Sequence, residues 1–212
     1  MKVLIVDDHA VVREGIGRLI EGIDGAIVSQ AENSEQALIQ VRSNPPDVIV
    51  LDINLGGSSG LELLQRLRAE CKSARIVMFT MFSDAGYAQR ALRGGASGYV
   101  SKSAPVEELI TAIKAVSSGQ TYVEQELAQD LAVYQTRDGD PMDSLTNREV
   151  EILRLLGEGK SFAQIADTFG IAYKTVANSC SRLKEKLGLE RTADLIRLSV
   201  ENAIRADQRK SD

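Results

Sequence analysis

Histidine occurs once in the 212 residues, as His9, and cysteine twice, as the widely separated Cys71 and Cys180. That shortage argues against a zinc cage and against a Ser-His-Asp triad. It leaves both cysteines as small buried thiols on the apolar side of helical patterns. Long apolar runs are missing too. The opening MKVLIVDDH reaches two acids after five or so apolar residues, too short for a signal peptide or a membrane span. A cytoplasmic protein with no membrane partner is therefore expected. Basic excess is also absent, since the formal net charge is −5. The charge is uneven, however. Residues 1–118 carry a net −2, residues 119–143 a net −5 and residues 144–212 a net +2. A mildly basic piece behind an acidic connector permits nucleic-acid binding at the C-terminal end.

What is present, with 43% hydrophobic residues, divides the chain in three. Over 1–118, short β-branched runs at 2–6, 26–31, 47–52, 75–80 and 97–101 alternate with helical patterns near 9–22, 33–44, 60–71, 84–93 and 105–118. Five strand–helix units predict an α/β, five-stranded, doubly wound parallel sheet, too few for an eight-fold barrel. Asn33 or Ser34 suits the N-cap of the second helix, and Pro45 and Pro46 stop it. Residues 119–143 read as an acidic linker: a short amphipathic helix with Leu127, Leu131 and Tyr134 in step, then a turn near Asp138–Pro141. From 144 onward four helices fit, near 146–157, 161–169, 173–187 and 191–203, which is an all-α helix-turn-helix pattern.

In an open α/β sheet the working crevice lies beyond the carboxyl ends of the strands. Asp7 and Asp8 follow the first predicted strand, Asp52 ends the third, Thr80 ends the fourth and Lys102 follows the fifth. Three carboxylates at one edge repel unless a cation joins them, and a hard ion with few protein ligands, Mg2+, suits them. The bland reading is that such acids merely cap helices. A carboxylate is also a nucleophile that can become an acyl phosphate.

With VDD at 6–8, VLD at 50–52, Gly60, MFT at 78–80, GYVSK at 98–102 and Pro105, the first 118 residues resemble a bacterial response-regulator receiver domain, a flavodoxin-like fold. The resemblance implies that Asp52 is the phosphoacceptor, served by the phosphohistidine of a sensor histidine kinase. It implies that Asp8 binds Mg2+ directly, Asp7 largely through water and Asn54 through its carbonyl. Lys102 and Thr80 would hold phosphoryl oxygens, and the ring of Tyr99 would follow Thr80 inward as the switch. His9 begins the first helix rather than acting in catalysis. Two departures stand out. Gly56 replaces a usual proline, which predicts a more mobile loop. Met81 replaces a usual small residue, and slows entry to the pocket unless it rotates away.

Residues 145–203 resemble the DNA-binding domain of the NarL/FixJ (LuxR-type) response regulators, through the run from Leu145 to Leu189. Thr146 and Glu149 have capping-box spacing, and Ile165-Ala166 and Lys174-Thr175-Val176 are the strongest matches. The helix 173–187 nets +3 and would enter the major groove of double-stranded DNA. Val176, Leu183 and Leu187 would face the core. Lys174, Thr175, Ala177, Asn178, Ser181, Arg182 and Lys186 would contact DNA, Asn178 reading a base edge. Ala172, Ala177 and Ser179 depart from the pattern, in place of a serine cap, a basic residue and a histidine. The resulting expectation is a homodimeric, phosphorylation-switched transcription factor, not an enzyme beyond its own phosphoryl transfer and dephosphorylation. Two competitors remain: a signalling protein whose helices bind protein, and a Mg2+-dependent phosphohydrolase on a similar sheet.

Overall fold

A computed structural model describes residues 1–55, 58–135 and 144–208. Gly56, and with it the expected loop mobility, lies outside the described residues, as does the turn near Asp138–Pro141. The chain divides into two compact units, Met1–Thr136 and Arg137–Asp212.

In the first unit, strands β1 (Lys2–Val6), β2 (Ile27–Ala31), β3 (Val48–Leu51), β6 (Arg75–Thr80), β7 (Gly98–Ser101) and β8 (Tyr122–Val123) form one sheet in the order β2-β1-β3-β6-β7-β8. All its pairs are parallel. The expected sheet of five strands is thus corrected to six: Tyr122 and Val123 extend it beside β7, too short a segment to show a period of two. A separate hairpin pairs β4 (Asn54–Leu55) with β5 (Ser58–Ser59). The helices are α1 (Ala10–Glu21), α2 (Ser34–Ser43), α3 (Gly60–Glu70), α4 (Ala85–Arg93), α5 (Val106–Ser117) and α6 (Gln125–Gln135).

Both faces of the sheet are buried, so its central strands are apolar at nearly every interior position. Alternation sorts them: Leu4, Val6, Ile49, Leu51, Ile76, Met78 and Tyr99 enter one core with α2, α3, α4 and α6. Val3, Ile5, Val48, Val50, Val77, Phe79 and Val100 enter the other with α1 and α5. Residues 119–135, read as linker in the sequence, belong to the first unit, because Leu127 and Leu131 of α6 are buried in the first of these cores. Caps fix the helix starts. Asn33, Ser59 and Asp84 each accept a hydrogen bond from a first-turn backbone N–H.

The second unit holds α7 (Asn147–Gly157), α8 (Phe162–Phe169), α9 (Tyr173–Leu187) and α10 (Thr192–Gln208). Capping boxes start α7 at Thr146 with Glu149 and α8 at Ser161 with Gln164. Gly170 then turns the chain from α8 toward α9 at φ 61°, the left-handed region that suits glycine. Ile152, Leu153, Leu156, Ile165, Val176, Cys180, Leu183 and Leu195 are buried between these helices.

Candidate functional site

The chain leaves β1 for one edge of the sheet and β3 for the other, and the crevice at this switch point lies between their carboxyl ends. Asp7 and Asp52, the residues just past β1 and β3, are buried, Asp8 is half-buried, and Thr80 at the end of β6 has no exposed surface. Lys102, just past β7, reaches across to two of these acids. Its Nζ donates to Asp7 Oδ2 at 2.5 Å and to Asp52 Oδ2 at 2.6 Å.

The three carboxylates are not equivalent. Asp7 is held on every side. Its Oδ1 accepts the backbone N–H of His9 at 2.8 Å, its Oδ2 accepts Lys102, and its carbonyl accepts Arg13 Nη1 at 2.6 Å. By contrast, Asp8 Oδ1 and Asp52 Oδ1 are buried without a hydrogen bond among the described residues, although the His9 ring nitrogen stands 2.8 Å from Asp8 Oδ1. Buried orphan oxygens cost stability unless a ligand satisfies them. Three carboxylates against one ammonium leave the crevice net negative. Burial pushes the Asp52 carboxyl above the usual range, further than Lys102 pulls it back. Burial would lower the Lys102 ammonium, but Asp52 and Asp7 outweigh it and raise it overall. Ligand atoms of Asp7, Asp8, His9 and Asp52 lie within 4.8 Å of one another. The oxygen-rich set, with the Asp52 Oδ1 orphan and an Asp8 Oδ1 faced only by the His9 ring, fits a hard divalent cation such as Mg2+.

The backbone supports this cluster closely. Gly60 N–H donates to the Ile53 carbonyl at 2.7 Å, and a Cβ at Gly60 would stand 2.0 Å from the Asp52 carbonyl oxygen. Asn54 lies on the hairpin strand β4 with its side chain exposed. Tyr99 is fully buried, and its hydroxyl donates to the Phe82 carbonyl at 2.6 Å. The Thr80 hydroxyl accepts the Phe82 N–H at 3.4 Å. Met81 projects into solvent, 56% exposed. Arg13 was missed in the sequence, where nothing marks its distant end as a partner of the Asp7 carbonyl.

On α9, Lys174, Thr175, Asn178, Ser181, Arg182 and Lys186 are exposed and Ala177 is half-buried. Val176, Ser179, Cys180 and Leu183 are buried and Leu187 is half-buried, so the inner and outer faces are distinct. Ser179 therefore belongs to the inner face. Lys186 is engaged at home: its Nζ lies 2.7 Å from Glu149 Oε2 and 3.2 Å from the Ser144 carbonyl. Sequence reasoning overlooked Tyr173, which is 58% exposed at the start of α9, its ring tilted against that of Phe162 at 6.0 Å.

Comparison with known proteins bears on both units. Residues 3–114 match the response regulator receiver domain, and residues 143–199 match the bacterial regulatory proteins of the luxR family. The transcriptional activator protein ExaE of Pseudomonas putida is 35% identical over 206 residues, spanning 95% of this chain and 96% of its own. The response regulator GacA of Pseudomonas aeruginosa is 34% identical over 208 residues, 96% of this chain and 97% of its own. A solved two-component response regulator of the LuxR family from Aurantimonas sp. SI85-9A1 aligns with 64% of this chain and 98% of its own, at 37% identity and a TM-score of 0.61. RcsB from Salmonella enterica serovar Typhimurium, solved on a promoter with the phosphomimetic BeF3−, shares the fold over 94% of this chain and 98% of its own, at 24% identity and a TM-score of 0.69.

Proposed function

The chain belongs to the NarL/FixJ-type response regulators, which join a receiver domain to a LuxR-type DNA-binding domain, and from that membership we propose that phosphorylation of Asp52 controls its binding to duplex DNA. The observation that carries the reading is the buried pair of Asp52 and Lys102, with one oxygen of Asp52 buried without a hydrogen bond among the described residues. An oxygen of Asp52 attacks the phosphorus of a phosphohistidine on a sensor histidine kinase. The P–N bond breaks, the imidazole leaves and an acyl phosphate forms. Lys102 releases Asp52 to pair a phosphoryl oxygen, and the Thr80 hydroxyl donates to another. Asp8, Asp52 and the Asn54 carbonyl would hold Mg2+, with Asp7 acting largely through water. When bound, that ion neutralises charge between the carboxylates and the phosphoryl oxygens. Water later hydrolyses the acyl phosphate, so the protein catalyses only its own phosphoryl transfer and dephosphorylation.

In the second unit the exposed face of α9 is the DNA-reading surface, with Lys174 and Arg182 on phosphates and Asn178 on a base edge. Thr175, Ala177 and Ser181 pack near the backbone, while Lys186 reaches phosphate only by leaving Glu149. A single helix-turn-helix offers few base contacts, so a homodimer on two half-sites supplies the specificity. The test of the chemistry is labelling with acetyl phosphate and Mg2+, which should modify Asp52 and leave Asp52→Asn unmodified. Thr80→Ala should still be labelled but lose the change in DNA affinity. Equal labelling of the Asn variant would overturn the assignment, and steep salt-dependent duplex binding separates this reading from a protein-binding helical domain.

A further inference from the structure

Glu124 stands between β8 and α6, and it holds both ends of a path from the carboxylate crevice. Its Oε2 accepts the backbone N–H of Ser101 at 2.9 Å, and Ser101 immediately precedes Lys102. Its own N–H donates to the Tyr99 carbonyl at 3.4 Å, and its carbonyl accepts the Ala128 N–H at 2.9 Å to open the first turn of α6. The strand β8 ends at Val123. The Glu124 side chain thus takes over from the sheet ladder and satisfies a donor on β7 that the ladder no longer reaches.

The helix that Glu124 opens packs against α4, in the core that also holds the switch residue Tyr99. Leu127 and Leu131 of α6 are 2% and 7% exposed and share a core with Tyr99, Ala88 and Ala91, and Phe82 and Tyr87 pack against the same cluster. Tyr99 is tied to the Phe82 carbonyl, and Lys102 N–H is tied to the Thr80 carbonyl at 2.8 Å. Of the two groups that would turn toward a phosphoryl group, Lys102 follows Ser101, which Glu124 holds, and Thr80 lies two residues before Phe82, which packs against the core that α6 enters. Beyond α6 the chain runs directly into residues 136–143 and the helix-turn-helix.

We propose that Glu124 is a positioning residue that couples occupancy of the phosphoryl site to the seating of α6. The coupling rests on the reading of Asp52 as phosphoacceptor. In the seated state Glu124 holds the Ser101–Lys102 peptide where the ammonium bridges Asp7 and Asp52. A phosphoryl group on Asp52 draws Lys102 and Thr80 toward its oxygens and loosens α6. Because coupling between two binding equilibria is reciprocal, loosening α6 by mutation strengthens binding of a phosphoryl mimic.

Hydrogen exchange of the full chain, with and without beryllofluoride and Mg2+, tests this. Beryllofluoride should slow exchange around Thr80 and Lys102 and speed exchange in α6 by about fivefold, the lower end of ordinary coupling. Glu124→Ala should show fast α6 exchange throughout and bind beryllofluoride about fivefold more tightly, whereas Glu124→Gln, which keeps an accepting oxygen, should stay near the parent. Leu131→Ala, which loosens α6 without touching Ser101, should also bind the mimic more tightly. Protection at Thr80 and Lys102 with no change in α6 would overturn the coupling alone. Unchanged mimic affinity in both Glu124→Ala and Leu131→Ala would do the same. Absence of any protection around Thr80 would overturn the phosphoacceptor reading itself, and the coupling with it.

Discussion

Asp52 lies in a pocket that resists its charge. Burial lifts its carboxyl above the usual range despite Lys102, so the charged form is held at a cost to folding. The sign follows. Below the ordinary carboxylate range Asp52 is protonated in both folded and unfolded chains and the cost disappears, while above its raised value the cost is complete. Asp52→Asn should therefore raise the unfolding midpoint at pH 7 by roughly 3 °C, about what 1 kcal/mol gives in a unit of this size. The gain should fade as pH falls through the carboxylate range. Thermal melts of both proteins from pH 3 to 8, without Mg2+, check this. The acids, Thr80 and Lys102 were legible in the sequence because each lies at or just past the end of a strand, and parallel strands deliver their ends to one edge. Arg13 was not legible: its partner is a backbone carbonyl, which carries no residue-type signal. His9 was legible as the residue that begins α1, but not as one whose ring stands beside Asp8.

At the scale of the element, α9 starts without a side-chain cap, since Ala172 occupies the cap position. Ala172→Ser should stabilise the second unit by about 1 kcal/mol, measurable by urea unfolding. α7 shows the opposite case. Burial alone would raise the Glu149 carboxyl, but Lys186 and the Thr146 groups outweigh it and hold it below the usual range. A depressed carboxylate contributes stability above its unfolded value and loses it as pH falls through the folded one. Lys186→Ala should thus cost about 1 kcal/mol at pH 7, discounted for the partial exposure of Lys186, and progressively less as pH falls through the lowered Glu149 range. A residue that only contacted DNA would leave stability unchanged at every pH. The helices of both units were legible to within a residue or so at their starts, because caps and periodicity agree. β8 and the seating of α6 were not. Two residues show no period, and the stripe of Leu127 and Leu131 looks the same on a free linker helix as on one buried against α4 in the core that holds Tyr99.

At the scale of the whole molecule, a receiver unit and a LuxR-type DNA-binding unit share one chain. Among the described residues no helix is long and apolar enough to cross a membrane. Lys174→Ala should weaken binding to all duplexes alike and reduce the salt slope by about one, whereas Asn178→Ala should relax sequence preference at a cost of about 1–3 kcal/mol at the affected base. Titrations of specific and scrambled duplexes at several salt concentrations distinguish the two. The most direct measurement of the central claim is genome-wide capture of DNA bound by the full chain, with and without acetyl phosphate and Mg2+, beside Asp52→Asn. The account predicts a discrete set of fragments whose enrichment changes at least tenfold on phosphorylation, about 1.4 kcal/mol of coupling, and a variant that no longer responds to the phosphodonor. Equal enrichment in all conditions, or the same response from the Asn variant, would contradict it.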